Sequence, residues 1–149
     1  MGSPVVTVRA GQAAENERLR ELTFESKLHW GYDRDLVRGW ADGLEFPAGC
    51  ERWVAEEDGE IVAWAGLTPP TDGVAVLDHL WVDPAAMGRG HGTRLSRLSA
   101  DRARELGARR LEWSSEPNAF GFYEKVGGRK LRDHVTEWGR LAPWMGLDL

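Results

Sequence analysis

Short apolar and polar blocks alternate along the chain, and their periods predict an alternation of strands and helices. "PVVTVRA" (4–10) is a β-branched run that reads as a strand. "QAAENERLRELTFESKLHW" (12–30) reads as a helix with a ragged apolar stripe, and "DRDLVRGWADG" (33–43) as a second, shorter helix after a turn at Gly31. "ERWVAEE" and "IVAWAGLT" are strands joined at Asp58-Gly59, a tight-hairpin signal. After the loop "PPTDG", the run "VAVLDHLWV" is apolar on both faces, as a central strand covered on both sides should be. Leu95, Leu98, Ala103 and Leu106 then share an arc of about 140° on a helix that Gly107 ends. "RRLEWSS" is the next strand. "PNAFGFYEKVGG" opens on proline and closes on glycine, as a short helix does. "KLRDHVTEWGRL" supplies one or two further strands.

This order predicts an α+β fold with a mostly antiparallel central sheet flanked by helices. The strand–helix–strand passage requires "VAVLDHLWV" and "RRLEWSS" to be parallel if they share a sheet. The chain of 149 residues is expected to form one domain, 1–149. Hydrophobic content of 42% and charged content of 29% are those of an ordinary globular protein. A net charge of −5 without a basic block argues against nucleic acid or an anionic membrane as the main partner. No apolar run approaches about 20 residues and no signal-peptide pattern is present, so a cytoplasmic location is expected. "MGSPVV" fails the myristoylation pattern because Val6 stands where Ser or Thr is needed. The single cysteine, Cys50, excludes an intrachain disulfide and reads as a plain thiol. HExxH, CxxC and G-x-S-x-G patterns are all missing, so neither a metal site nor a serine nucleophile is expected.

Chemistry concentrates in "WVDPAAMGRGHGTRL" (81–95), where Gly88, Gly90 and Gly92 fall between a strand end and a helix start. The first turn of a helix presents N–H groups without internal partners and partial positive charge. Glycines let an anion approach that backbone, and Arg89 and Arg94 could add charge at the rim. The plain alternative is a tight connection that needs glycine for geometry alone. A nucleoside-triphosphate loop would need Lys before Thr93, where Gly92 stands. A dinucleotide fingerprint would need glycine at Thr93, and its ribose-binding acid, Glu112, would fall mid-strand.

"LDHLWVDPAAMGRGHGTRL" resembles the acetyl-CoA-binding motif of the GNAT acetyltransferase superfamily, on Val82, Pro84, Met87, Gly90 and Gly92. "PNAFGFYEKVGG" is similar to the family's second motif, on Ala119, Tyr123, Glu124, Lys125 and Gly127. The order of elements agrees along essentially the whole chain. Met87 replaces the usual Gln or Arg, and Gly128 replaces the usual Phe. The resemblance implies an N-acetyltransferase acting on a small-molecule amine or an exposed amino group, with acetyl-CoA as co-substrate and no metal. The competing reading is a CoA-binding sensor module without catalysis. The resemblance further implies a pantetheine arm beside Leu80, Trp81 and Val82. The pyrophosphate would lie on the segment Met87, Gly88, Arg89, Gly90, His91, Gly92 and Thr93, with Asn118 and Tyr123 completing the cofactor site. Homodimers are common in such proteins, so a dimer is a further expectation.

The resemblance also implies Tyr123 as general acid to the departing thiolate, a phenol being a suitable donor to it. Asp78 and His79 are the candidate bases on the central strand, expected on opposite faces; the family's earlier glutamate is absent at Val76. Each could equally make a structural hydrogen bond. "KLHWGYD" (27–33) lies where the family builds its acceptor wall. His29, Trp30 and Tyr32 are therefore candidate substrate-binding residues, with His29 as a further base, Asp33 as a cation holder, and Trp30 otherwise a helix-end anchor.

Overall fold

The computed structural model describes residues 3–149. Met1 and Gly2, which open the expected domain and the stretch weighed for myristoylation, lie outside the described residues. The elements are β1 (Val6–Ala10), α1 (Asn16–His29), α2 (Arg34–Asp42), β2 (Glu51–Glu57), β3 (Glu60–Leu67), β4 (Val74–Val82), α3 (His91–Glu105), β5 (Arg110–Ser114), α4 (Phe120–Lys125), β6 (Arg129–Val135) and β7 (Leu141–Asp148). The seven strands form one sheet in the order β1-β2-β3-β4-β5-β7-β6. Every neighbouring pair is antiparallel except β4 and β5. The α+β fold with one parallel pair is thus as the sequence predicts. No helix among the described residues is long and apolar enough to cross a membrane.

Alternation along β2 and β3 divides the core. Ala55, Ala63 and Ala65 join Leu95, Ala100 and Ala103 of α3, while Val54 and Trp64 join Leu19 and Leu22 of α1. Small residues on the α3 side let that helix lie close to the sheet. The buried face of α3 differs from the expected stripe: Leu106 is exposed, and Ser96 and Ser99 are buried in its place. Each serine hides its hydroxyl by donating to the carbonyl four residues back, Gly92 O at 2.7 Å and Leu95 O at 2.8 Å. On the other face, the ragged stripe of α1 has the same cause. Buried Thr23 donates to Leu19 O and accepts from Trp64 Nε1 at 2.8 Å, so a polar residue serves the core.

The C-terminal strand departs most from the sequence reading. The strands read within 130–141 continue into β7, which runs to Asp148 and lies between β5 and β6. Pro143 and Gly146 mask its strand character, since both are depleted in sheet interiors. A Cβ at Gly146 would lie 2.8 Å from the Leu131 side-chain end, which would have to shift to admit it.

Two irregularities in the sheet create the site. β4 pairs with β5 only over Val74–Val76, opposite Arg110–Glu112, and the strands then part. From Leu77 onward the β4 edge that faces β5 carries no ladder. Opposite β3 the register passes from Gly66↔His79 to Leu67↔Leu77, so Asp78 is an additional residue, a bulge.

Candidate functional site

A cavity of about 770 Å³ opens where β4 and β5 part, a volume suited to a small-molecule ligand. The glycine loop and α4 line one end, and α1, α2 and the β6–β7 turn line the other.

The glycine loop follows a proline turn whose start is held by Asp83 Oδ1, which accepts from Ala85 N at 2.9 Å. Gly88 and Gly90 have φ of 82° and 85°, a conformation that favours glycine, and a Cβ on either would meet open space. Gly92 has a separate reason: its Cβ would lie 3.1 Å from the Phe122 ring. Among the described residues, the amides from Gly88 to Thr93 donate to no backbone carbonyl; the first such bond of α3 is Arg94 N to Gly90 O. Unfilled donors, a helix start and open space together make an anion cradle.

The loop's side chains do not contribute as expected. Arg89 pairs with Glu57 and Arg94 is exposed; neither lines the cavity. His91 is buried, and its Nε2–H donates to Glu57 Oε1 at 2.6 Å. That bond and Arg89 hold the Glu57 carboxyl below its usual range. Glu57 therefore ties the loop to the end of β2, a role that no sequence motif signalled. Met87 and Thr93 do line the cavity. Glu112, the ribose-binding acid of the dinucleotide alternative, is instead bonded by Trp144 Nε1 at 2.6 Å and Arg110 Nε at 2.7 Å.

Tyr123 lines the cavity from α4 and is 8% exposed. Its ring packs against Trp113 and Phe122, with centroids 5.2 and 5.1 Å away. Burial raises the phenol's pKa, so it stays protonated well above neutrality. Gly128 is where Trp113 needs room: a Cβ there would lie 2.6 Å from the indole. The bulky side chain expected at 128 is thus replaced in space by Trp113. Asn118 lines the cavity, and its Nδ2 donates to Glu116 Oε1 at 3.1 Å.

The bulge overturns the expectation that Asp78 and His79 face apart, because it breaks the alternation and leaves both lining the cavity. Asp78 has a side chain 58% exposed, with His79 Nε2 at 4.0 Å from its Oδ2. His79 stacks on Trp64 at 4.6 Å, and its Nδ1 accepts from Trp81 Nε1 at 3.0 Å. A neutral imidazole has one lone pair to offer, and Trp81 takes it. Burial lowers the His79 pKa, opposed by the Asp78 charge. Leu80, Trp81 and Val82 complete the β4 lining.

At the opposite end, Trp30 and Tyr32 line the cavity but His29 does not; its imidazole is exposed and lies edge-on to Trp30. Asp33 does not line the cavity; it caps α2, accepting from Leu36 N at 3.0 Å. The sequence reading passed over Lys27, Trp40, Glu116, Trp138 and Arg140, all of which line this end. Lys27 Nζ lies over the rings of Tyr32 (4.0 Å), Trp138 (5.2 Å), Trp81 (5.8 Å) and Trp40 (5.9 Å). Tyr32 donates its hydroxyl to Glu116 Oε2 at 2.6 Å; burial and this bond raise its pKa to about 12. Lys27 opens the "KLHWGYD" stretch, and Trp138-Gly139 marks a hairpin turn. Those were the only local signals for a cage assembled from four segments.

Residues 14–128 match the sequence profile of the family described as "Acetyltransferase (GNAT) family". The chain belongs to the GNAT family of acetyltransferases. Over 81 residues this GNAT chain is 30% identical to the uncharacterized N-acetyltransferase YjgM of Escherichia coli K12. That match covers 50% of the chain and 48% of YjgM, so the chain spans about half the length of the curated relative. The fold is similar to that of the GCN5-related N-acetyltransferase of Rhodopseudomonas palustris, with a TM-score of 0.83 at 22% identity over 100% of this chain and 98% of that one. It is also similar to the PaiA N-acetyltransferase of Thermoplasma acidophilum in complex with coenzyme A, with a TM-score of 0.79 at 15% identity over 97% and 99%. These two likenesses establish the GNAT fold.

Proposed function

We propose that this GNAT chain is an N-acetyltransferase that moves an acetyl group from acetyl-CoA to an amine by direct attack in a ternary complex. The observation that carries the reading is the parting of β4 from β5 beside the unfilled amides of Gly88–Thr93, with the Tyr123 phenol lining the same cavity. The free edge of Leu80, Trp81 and Val82 suits the amides of a pantetheine arm, and the cradle suits its pyrophosphate. A coenzyme A complex of the fold relative PaiA supports the choice of cofactor.

In the proposed reaction, the amine nitrogen attacks the thioester carbonyl, an N–C bond forms and the C–S bond breaks. The acceptor nitrogen, an ammonium near neutral pH, loses two protons, one before attack and one as the amide forms; the leaving thiolate gains one and solvent takes the other. Tyr123, kept protonated by burial, gives the proton to sulfur. Asp78 receives the amine's proton through water, since its carboxylate is exposed at the bulge. His79 is a positioning residue: its lone pair is held by Trp81, and its ring packs beside Asp78.

Thiol release from acetyl-CoA across a panel of amines tests this reading. Tyr123→Phe keeps the ring and removes the proton, so kcat should fall about 10²-fold with acetyl-CoA affinity and melting temperature nearly unchanged. A stable, cofactor-binding Phe variant with full turnover would remove Tyr123 from the mechanism. Cofactor binding with no thiol release for any acceptor would favour the CoA-sensor reading instead.

A further inference from the structure

Lys27 is 8% exposed and lines the cavity, yet its ammonium makes no hydrogen bond among the described residues. The Glu116 carboxylate faces it at 3.7 Å, beyond hydrogen-bond length. The four rings around Nζ stabilise its positive charge, but they fill none of its three N–H bonds with an oxygen lone pair. Burial lowers the Lys27 pKa, opposed by the Glu116 charge, and a carboxylate entering the cavity would offset that desolvation of the ammonium. Arg140 lies 4.5 Å from the same Tyr32 ring, lines the same cavity, and has no ion-pair partner among the described residues.

We propose that Lys27, with Arg140 beside it, anchors a carboxylate of the acetyl acceptor, so that the acceptor is an amino acid with an apolar side chain. This rests on the acetyltransferase reading and names its substrate class. Glu116 accepts from Tyr32 and Asn118, and Glu137 accepts from Trp40 Nε1 at 3.1 Å; these donors are neutral, so both carboxylates share the end with the two cations, and an incoming carboxylate competes with Glu116 for Lys27. Asp78, at the β4 bulge, is the carboxylate left to face the acceptor's amino group. Lys27 and Arg140 share their end with Glu116 and Glu137 but have N–H bonds left to donate, and Asp78 at the bulge faces its end with only His79 near, a pairing of free donors and a free acceptor that suits a zwitterion. Trp30, Trp40 and Trp138 offer apolar surface to a side chain between them. The rings are not a cage for the acceptor's own ammonium, because Lys27 already holds that place and would repel it.

The test uses matched acceptors: leucine against leucinamide and isoamylamine, and phenylalanine against phenylalaninamide and phenethylamine. Thiol release gives kcat and KM; calorimetry on the CoA-saturated protein gives acceptor binding without turnover. The free amino acids should exceed both analogues, and Lys27→Met should raise the amino-acid KM by about 10–100-fold, the range of a charge-assisted bond, and so abolish the preference over the amide and the amine. Lys27→Arg should restore part of the preference, and Arg140→Met should weaken it several-fold. If Lys27→Met does not fold, the wild-type pairs and Arg140→Met decide. Equal or better use of the amines or of a polyamine, a preference that survives both Met variants, or acetylation of Lys27 itself by mass spectrometry would overturn the anchor. Selective amino-acid binding without any transfer would leave the anchor standing and overturn the acetyltransferase reading.

Discussion

His79 shows how one hydrogen bond decides a residue's chemistry. By type alone it is a better base at neutral pH than Asp78, and the sequence offered both. Neither the bulge that turns Asp78 and His79 into the same cavity nor the Trp81 bond to Nδ1 has a local sequence signature, so the choice between them was not legible. Lys27 was missed for a similar reason. A lysine late in a helix reads as solvent-facing, and the rings that bury it come from four separate stretches. The buried, neutral His79 has a consequence for stability. Its pKa in the folded protein is lowered, so its contribution is complete above the ordinary value of about 6.5 and is lost as pH falls below that. Between pH 7.5 and 5.5 the unfolding free energy of the wild type should decline, by at most about 1.4 kcal/mol per pH unit from this group. His79→Gln should be less stable overall but flatter in that window. The carboxyls of Glu15, Glu57 and Glu112, held below their usual range, act at more acid pH. Urea midpoints at several pH values measure the slope; a wild-type slope retained in His79→Gln would assign the acid sensitivity to another group.

Among the elements, those with strong periodicity or capping signals were legible: the Asp58-Gly59 hairpin, the central strand, and the proline-opened α4 all stand where the pattern predicts them. β7 was not, because Pro143 and Gly146 break its pattern and its sheet position depends on partners far away in sequence. The glycine loop was legible in place and backbone role but not in its side chains, since Glu57 draws Arg89 and His91 away from the cradle. Two glycines separate the loop's geometric need from its proposed binding role. Gly90 and Gly107 both have positive φ, 85° and 91°, and a Cβ would meet open space at each. Alanine at either position should cost about 1–2 kcal/mol, the penalty of a left-handed conformation. Only Gly90→Ala also puts a methyl group into the anion cradle, so only it should weaken acetyl-CoA binding. Equal affinity in the two variants, by calorimetry, would mean that the cradle does not hold the cofactor.

At the scale of the molecule, the sheet is two units sharing a short seam. The β1–β4 ladder and the β5–β7–β6 ladder meet only where Val74–Val76 pair with Arg110–Glu112. The order of elements made the parallel pair legible, but not that it would part after Val76, because the bulge that follows at Asp78 has no local sequence signature. Acetyl-CoA seated in the opening would touch both ladders and replace the pairing they lack. Mass action then predicts a higher melting temperature, from about 2.7 kcal/mol of stabilisation at a concentration 100 times Kd. Hydrogen exchange locates the effect. The amides of Gly88 to Thr93 donate to no backbone carbonyl in the free protein, so they should exchange fast and become protected once the pyrophosphate accepts from them. Amides of β1, far along the sheet from the opening, should change little. Stabilisation by NADH and not by acetyl-CoA, or protection that spares residues 88–93, would place the cofactor elsewhere and remove the basis for the proposed reaction.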